Sequence, residues 1–141
     1  MIEMTPEQIR SFLSTGTRTG KLAVVRKDGR PLVTPVWFVL DEDDVVFTTY
    51  ETSGKGRALR RDGRVSMVVD EEQPPYAFVL LDGEVTISEE PDELLRWATV
   101  IGARYMGPDR AEEYGKRNGV PGELLVRLRP SRIVAMAGVA E

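Results

Sequence analysis

The residues best suited to chemistry are gathered in one polar segment, Thr48–Arg57. It contains several hydroxyl side chains together with Lys55, Arg57 and two glycines. Hydroxyl groups, paired cations and the N–H groups at the start of a helix are the donors that a bound phosphate needs. Glycine lets the backbone approach such a ligand closely. The segment therefore predicts a phosphate site, although its composition fits a polar loop before a solvated basic helix equally well, and the spacing of a Walker loop is absent.

The absence of cysteine and histidine limits the chemistry that the side chains perform. Disulfides, thiolate nucleophiles, zinc sites of the Cys/His type and histidine acid–base catalysis are all excluded. Short acidic runs such as Asp41–Asp44 lie at predicted turns and are typical of solvated surface, without the spacing of a calcium loop. An enzyme of this composition either uses carboxylates alone or takes its chemistry from a bound cofactor, and a hydride-transferring cofactor is the natural candidate.

The charge of the chain is uneven. Its net charge is −4 at pH 7, which argues against a general attraction to nucleic acid. Between Gly54 and Arg64, however, five basic residues are opposed only by Asp62. These five are Lys55, Arg57, Arg60, Arg61 and Arg64. A basic island in an acidic chain indicates a local site for an anion.

Turn signals divide the first two thirds of the chain into short strands. Thr5, Pro6 and Gln8 form a capping-box pattern that begins a helix. Strand-like runs separated by turn residues follow: Lys21–Arg26, Pro31–Leu40, Val45–Thr49, Val65–Val69, Tyr76–Leu81 and Glu84–Ser88. Because Pro35 removes a hydrogen-bond donor, its strand is expected to be bulged or to lie at an edge of the sheet.

Helices and further strands are predicted around and after this series. A short helix is expected at Gly56–Arg61, helical periodicity begins after Pro91, and Trp97 on that helix is expected to be a packing residue. The remaining predicted elements are a short helix ending at Arg117 and late strands at Glu123–Arg129 and Arg132–Ala137.

The connections between the strands predict the fold class. Short hairpins favour a mainly β, antiparallel sheet with flanking helices, and closure into a barrel would remove exposed edges. The length suits a single domain, residues 1–141. No apolar run approaches the ~20 residues that span a bilayer, and the first residues lack the pattern of a signal peptide. We therefore expect a cytoplasmic protein that contacts no membrane.

Several segments, taken in order, carry a family resemblance. They are Thr34–Val39, Val46–Thr49, Lys55–Val65, Leu95–Ala98 and Gly102–Gly107. Together they resemble the flavin/deazaflavin oxidoreductase family, which is built on the split β-barrel of pyridoxamine 5′-phosphate oxidase. The last two segments are similar to the F420-dependent, actinobacterial branch. The resemblance covers about Phe12–Val134 and depends on the order and spacing of the segments.

The resemblance implies a homodimer of split-barrel subunits with two cofactor sites at the interface. It implies that Lys55 and Arg57 grip the phosphate of the cofactor, with Thr48, Thr49 and Ser53 as hydroxyl donors.

Further residues are carried over from the family on the same basis. Arg61 is an additional cation for the cofactor. Pro35, Val36 and Trp37 are expected to lie along the flat ring, although a strand tryptophan is commonly a core residue. The residues expected to reach the site of the partner subunit are Arg104, Tyr105 and Met106.

The resemblance also implies the cofactor and the reaction. Coenzyme F420 is favoured over FMN, because its acidic tail needs more cations than one phosphate clamp and the basic island supplies them. The expected reaction is hydride transfer from reduced F420 to an unsaturated small molecule such as an enone, a quinone or a tetrapyrrole like biliverdin. No metal and no catalytic side chain is required, since the cofactor carries the hydride. The alternatives are an FMN-binding oxidoreductase of the same fold and a non-catalytic F420-binding or carrier protein.

Overall fold

A computed structural model describes the protein over residues 1–141. Its helices are α1 (Pro6–Ser14), α2 (Gly54–Arg61), α3 (Pro91–Met106) and α4 (Ala111–Asn118), with a 3-10 turn at Pro108–Arg110. Its strands are β1 (Ile2–Glu3), β2 (Gly20–Val25), β3 (Pro31–Val36), β4 (Val39–Asp41), β5 (Asp44–Tyr50), β6 (Arg64–Glu71), β7 (Ala77–Ser88) and β8 (Glu123–Ala137). None of the helices combines the length and the apolar character that crossing a membrane requires.

The eight strands form one antiparallel sheet. Their order is β3-β2-β6-β7-β8-β5-β4, and β1 pairs with β8. The predicted mainly β, antiparallel fold with flanking helices is confirmed. The sheet does not close, because its two end strands, β3 and β4, follow one another in the chain but are not paired with each other. The closed barrel that would have removed the exposed edges is therefore not formed within one chain.

The structure corrects the prediction of short strands near Asp82-Gly83 and in the late chain. Both predicted pairs of short strands are single long strands, β7 and β8. Asp82-Gly83 is not a turn but a continuous part of β7, and the register with β8 shifts there because Ser131 of β8 is left without a partner. A Cβ at Gly83 would collide with the carbonyl oxygen of Arg129 on β8. The glycine is therefore present because the facing strand approaches too closely for a side chain.

The predicted strand Pro31–Leu40 is interrupted at Trp37 and Phe38, which separate β3 from β4. Pro35 lies within β3, opposite Lys21 of β2, and β3 is an end strand of the sheet. The expectation that this proline lies at an edge is therefore confirmed, since an end strand tolerates the loss of one N–H donor.

Hydrophobic clusters cover both faces of β5 and β8. Along β5, Val45 and Phe47 belong to a large cluster shared with α1 and α2, whereas Val46 belongs to a smaller one shared with α3. This division follows from the alternation of side chains along a strand. Trp97 of α3 is buried in the smaller cluster, as predicted for a packing residue. The carboxyl end of β5 consequently lies between α2 and the α3–α4 pair.

Candidate functional site

The junction between β5 and α2 is held by hydrogen bonds of Ser53, the N-cap of α2. Its Oγ accepts a hydrogen bond from the Gly56 N–H at 2.9 Å and donates one to the Tyr50 carbonyl oxygen at 2.7 Å. Thr49 Oγ1 lies 3.3 Å from the same Oγ. Gly56 permits the start of α2 to lie this close to the end of β5, since a Cβ at this position would collide with the Tyr50 carbonyl oxygen. The junction is therefore a fixed turn, with Lys55 in the first turn of the helix.

A cleft of about 330 Å³ opens beside this junction. Its lining includes two groups of predicted site residues that are distant in the chain. They are Pro35, Val36 and Trp37 at the end of β3, and Thr48, Thr49 and Lys55 at the junction. Ala98 and Ile101 of α3 contribute an apolar wall. The structure thus brings the predicted anion-binding segment and the predicted ring-binding segment to one concave surface.

Lys55 has the surroundings that an anionic ligand needs. Its side chain is half-buried, and its Nζ donates a hydrogen bond to Thr34 Oγ1 at 3.3 Å but takes part in no ion pair. Burial lowers the pKa of the Lys55 ammonium, and the charge of Glu123 partly opposes this shift. A half-buried ammonium without a counter-ion gains by binding a phosphate. Lys55 and the hydroxyl of Thr48 therefore fit the phosphate of a flavin-type cofactor, whereas the hydroxyl of buried Thr49 donates to Ser53 Oγ.

Three polar residues of the cleft were missed by the sequence analysis: Arg117, Asn118 and Glu123. Glu123 begins β8, where the register places it opposite Tyr50, and the other two end α4. Burial raises the pKa of the Glu123 carboxyl, against the charges of Lys55 and Arg117. The only signal in the sequence was a charged residue at the first position of a late strand. The pairing of that strand with β5, which brings Glu123 to the cleft, is not encoded in any local pattern.

Arg104, expected near the partner's site, binds backbone of its own chain. Its guanidinium donates to three carbonyl oxygens, those of Leu13 (2.7 Å), Gly16 (3.0 Å) and Phe38 (2.7 Å). Burial lowers the pKa of this guanidinium from its very high ordinary value. Arg104 thereby ties the end of α3 to the end of α1 and to the segment between β3 and β4.

Tyr105 holds the same segment beside the cleft. Its hydroxyl accepts a hydrogen bond from the Phe38 N–H at 3.1 Å and donates to the Arg18 carbonyl oxygen at 2.9 Å. Its ring stacks on Trp37, with centroids 5.1 Å apart and planes inclined by 2°. Tyr114 of α4 packs against Trp37 at a tilt, with centroids 5.9 Å apart. The position of Trp37 in the cleft therefore depends on α3 and α4.

The other predicted site residues do not line the cleft. Arg57 and Arg61 are exposed on α2, and Arg61 donates to the Val25 carbonyl oxygen at 3.4 Å. Met106 is the half-buried last residue of α3. The hydroxyl of Ser53 is engaged in capping α2. Roles of these residues toward a cofactor stay predictions, as do those of Arg104 and Tyr105.

A larger cavity, of about 570 Å³, lies between α1 and the turn that joins β4 to β5. Its acidic rim is largely neutralised, because Arg10 pairs with Asp43 at 3.4 Å and Arg129 pairs with Asp44 at 3.3 Å. None of the predicted site residues lines it. The chemistry of the lining, and not the volume, therefore favours the cleft at Lys55 as the candidate site.

Comparison with known proteins points to one family. The family model described as pyridoxamine 5′-phosphate oxidase matches residues 5–137 of the chain. Among solved structures, the conserved hypothetical protein Rv2991 from Mycobacterium tuberculosis is 28% identical, with a TM-score of 0.87, over 97% of this chain and 87% of that one. A structure named F420 reductase is 25% identical, with a TM-score of 0.69, over 87% of this chain and 94% of that one.

A more distant likeness extends the range of proteins with this fold. HutZ, the heme storage protein from Vibrio cholerae, is 21% identical, with a TM-score of 0.74, over 96% of this chain and 98% of that one. At this identity the likeness shows the fold alone. No curated protein matches the chain.

Proposed function

Because this chain belongs to the pyridoxamine 5′-phosphate oxidase family, whose fold binds flavins, we propose that it is an F420-dependent reductase with its cofactor in the cleft at Lys55. The family includes oxidoreductases. The reaction is hydride transfer to an unsaturated small molecule such as an enone, a quinone or a tetrapyrrole. The observation that carries the proposal is the half-buried, unpaired Lys55 in the same cleft as Pro35, Val36 and Trp37. The likeness to an F420 reductase supports the choice of cofactor.

The residues of the chain bind and orient in this proposal. The bound deazaflavin supplies the hydride, so no side chain has to act as a nucleophile. Lys55 and the hydroxyl of Thr48 hold the phosphate through charge-assisted hydrogen bonds. The free edge of β3, which pairs only with β2, offers backbone groups to the polar edge of a ring. Fixed orientation of this kind supplies about 7–11 kcal/mol of a reaction barrier.

Titration of the purified protein with F420 and with FMN, followed by absorbance and fluorescence, tests the proposal. We expect tighter binding of F420, and oxidation of reduced F420 that depends on a substrate from a panel of enones, quinones and tetrapyrroles. Lys55→Ala should weaken F420 binding by about 1.5–3 kcal/mol, the range for hydrogen bonds to charged groups, or about 10- to 150-fold in Kd.

Arg60→Ala is the matched control. Arg60 is on the same helix and belongs to the basic island, but it is exposed and does not line the cleft, and its charge is paired with Glu89 at 2.8 Å, so we expect no role for it in binding the cofactor. An equal loss of affinity in both variants, or none in Lys55→Ala, would remove the cleft from the binding site. Binding of FMN alone would instead support an FMN oxidoreductase. F420 binding without substrate-dependent oxidation would support a carrier.

A further inference from the structure

The charged side chains of the cleft come from three different elements. Lys55 is on α2, Arg117 is at the end of α4, and Glu123 is at the start of β8. Two cations and one carboxylate leave the lining with one net positive charge when all three are ionised. The exposed cations of α2, Arg57 and Arg61, stand outside this lining.

Glu123 is a carboxylate without a partner. Its side chain is half-buried, and its carboxyl forms neither a hydrogen bond nor an ion pair. The groups that face it are Lys55 from α2, Arg117 from α4 and the phenol of Tyr50 from β5. Burial raises the pKa of its carboxyl although both cations favour the charged form. A second anion placed beside Lys55 therefore adds repulsion to a carboxylate that is already poorly solvated.

We propose that Glu123 is a specificity-determining residue, which makes the cleft accept an anion with one negative charge in preference to one with two. This inference rests on the proposed function, because it concerns the cofactor phosphate held at Lys55. The phosphate of F420 is a diester and carries one charge. The phosphate of FMN is a monoester and carries about −1.5 to −2 at pH 7. One net positive charge in the lining neutralises the single negative charge of the diester. The same lining leaves part of the negative charge of the monoester uncompensated.

Substitution of Glu123 by its uncharged isostere tests this charge selection. Kd values are measured by fluorescence titration for F420, FMN and two phosphate-free probes, riboflavin and the deazaflavin riboside. Glu123→Gln should tighten FMN binding on the order of tenfold and F420 binding by clearly less. Binding of both phosphate-free probes should change little. Equal changes for F420 and FMN, or an equal change for riboflavin, would overturn the proposal.

Two further variants separate charge selection from unrelated effects. Glu51→Gln removes an exposed carboxylate close to the junction that does not line the cleft, so it should leave the ratio of the FMN and F420 Kd values unchanged. Arg117→Gln makes the lining neutral and should weaken FMN binding more than F420 binding, which keeps the proposal testable if Glu123→Gln does not fold. A wild-type protein that binds neither cofactor refutes the proposed function. A wild-type protein that binds both, with a ratio insensitive to Glu123 and Arg117, refutes only the charge selection.

Discussion

At the scale of single residues, the candidate site depends on two ionisable side chains that are half-buried and unpaired. Burial lowers the pKa of Lys55 and raises the pKa of Glu123, so in both cases the charged form is disfavoured. Each side chain also opposes the shift of the other through its charge. Ionisable groups with perturbed pKa values concentrate at functional sites. A bound ligand of opposite charge would compensate the burial that disfavours their charged forms.

The perturbed pKa of Glu123 predicts a pH-dependent change in stability. The folded-state pKa lies above the ordinary value of 4.5. The folded state therefore loses stability relative to the unfolded state as the pH rises from 4.5 through the folded-state pKa. Glu123→Gln should raise the free energy of unfolding near neutral pH, and this gain should vanish in acid below the ordinary value.

Urea denaturation of the cofactor-free protein across the acid and neutral range measures this effect. Glu51→Gln is the control, since its side chain is exposed and should give no comparable pH-dependent gain. A stability gain for Glu123→Gln that is the same at every pH would point to packing and not to ionisation.

At the scale of elements, the α3–α4 pair sets the back of the cleft through close helix packing. A Cβ at Gly102 of α3 would lie 2.7 Å from the Cβ of Tyr114 on α4. Tyr114 in turn contacts Trp37, which lines the cleft. A side chain at Gly102 would therefore displace Tyr114 and, through it, Trp37 at the ring-binding end of the site.

Gly102→Ala should destabilise the protein and disturb the cleft. The better helix propensity of alanine contributes about 1 kcal/mol in favour of the variant, whereas overpacking of a tight contact costs about 1–3 kcal/mol. A net loss of stability, with a changed fluorescence of Trp37, is the expected result. Val100→Ala on the exposed side of α3 should change neither. An alanine variant more stable than wild type would show that the helices separate without cost.

The elements also show how far the sequence predicts the molecule. The capping box of α1, the runs of β2, β5 and β6 and the edge position of Pro35 are local patterns, and they are found where they were predicted. Asp82-Gly83 was mistaken for a turn because a glycine that avoids a facing strand has the same local signature as a turn glycine. Thr48, Lys55 and Trp37 line one cleft, whereas the cofactor-binding roles that the family resemblance implied stay predictions. Glu123 was missed because the register between β5 and β8 is non-local.

At the scale of the whole molecule, a single chain encloses the proposed cofactor only in part. The cleft of about 330 Å³ is near the lower limit of the ~300–1,000 Å³ that small-molecule sites usually occupy. F420 with its tail is a large ligand, and the exposed cations Arg57 and Arg61 of α2 do not line the cleft. A second copy of the chain, as the family resemblance implies, would supply further walls.

We therefore expect the protein to be a homodimer in solution. Sedimentation equilibrium should give twice the chain mass of 15.8 kDa, and dilution to the monomer should weaken F420 binding because walls of the site are lost. Riboflavin binding measured over the same dilution series tests whether the ring end of the site needs the partner. A monomer that binds F420 with unchanged affinity would contradict the dimeric site.

The position of β8 in the sheet has a consequence for synthesis on the ribosome. This strand pairs with β1, β5 and β7, and it is translated after every other strand. Until it emerges, a nascent chain presents β5 and β7 with unpaired edges, together with a cluster that lacks Leu124, Val126 and Leu128. Such edges and apolar surfaces recruit other chains. We therefore expect chains that are released before β8 is made to aggregate.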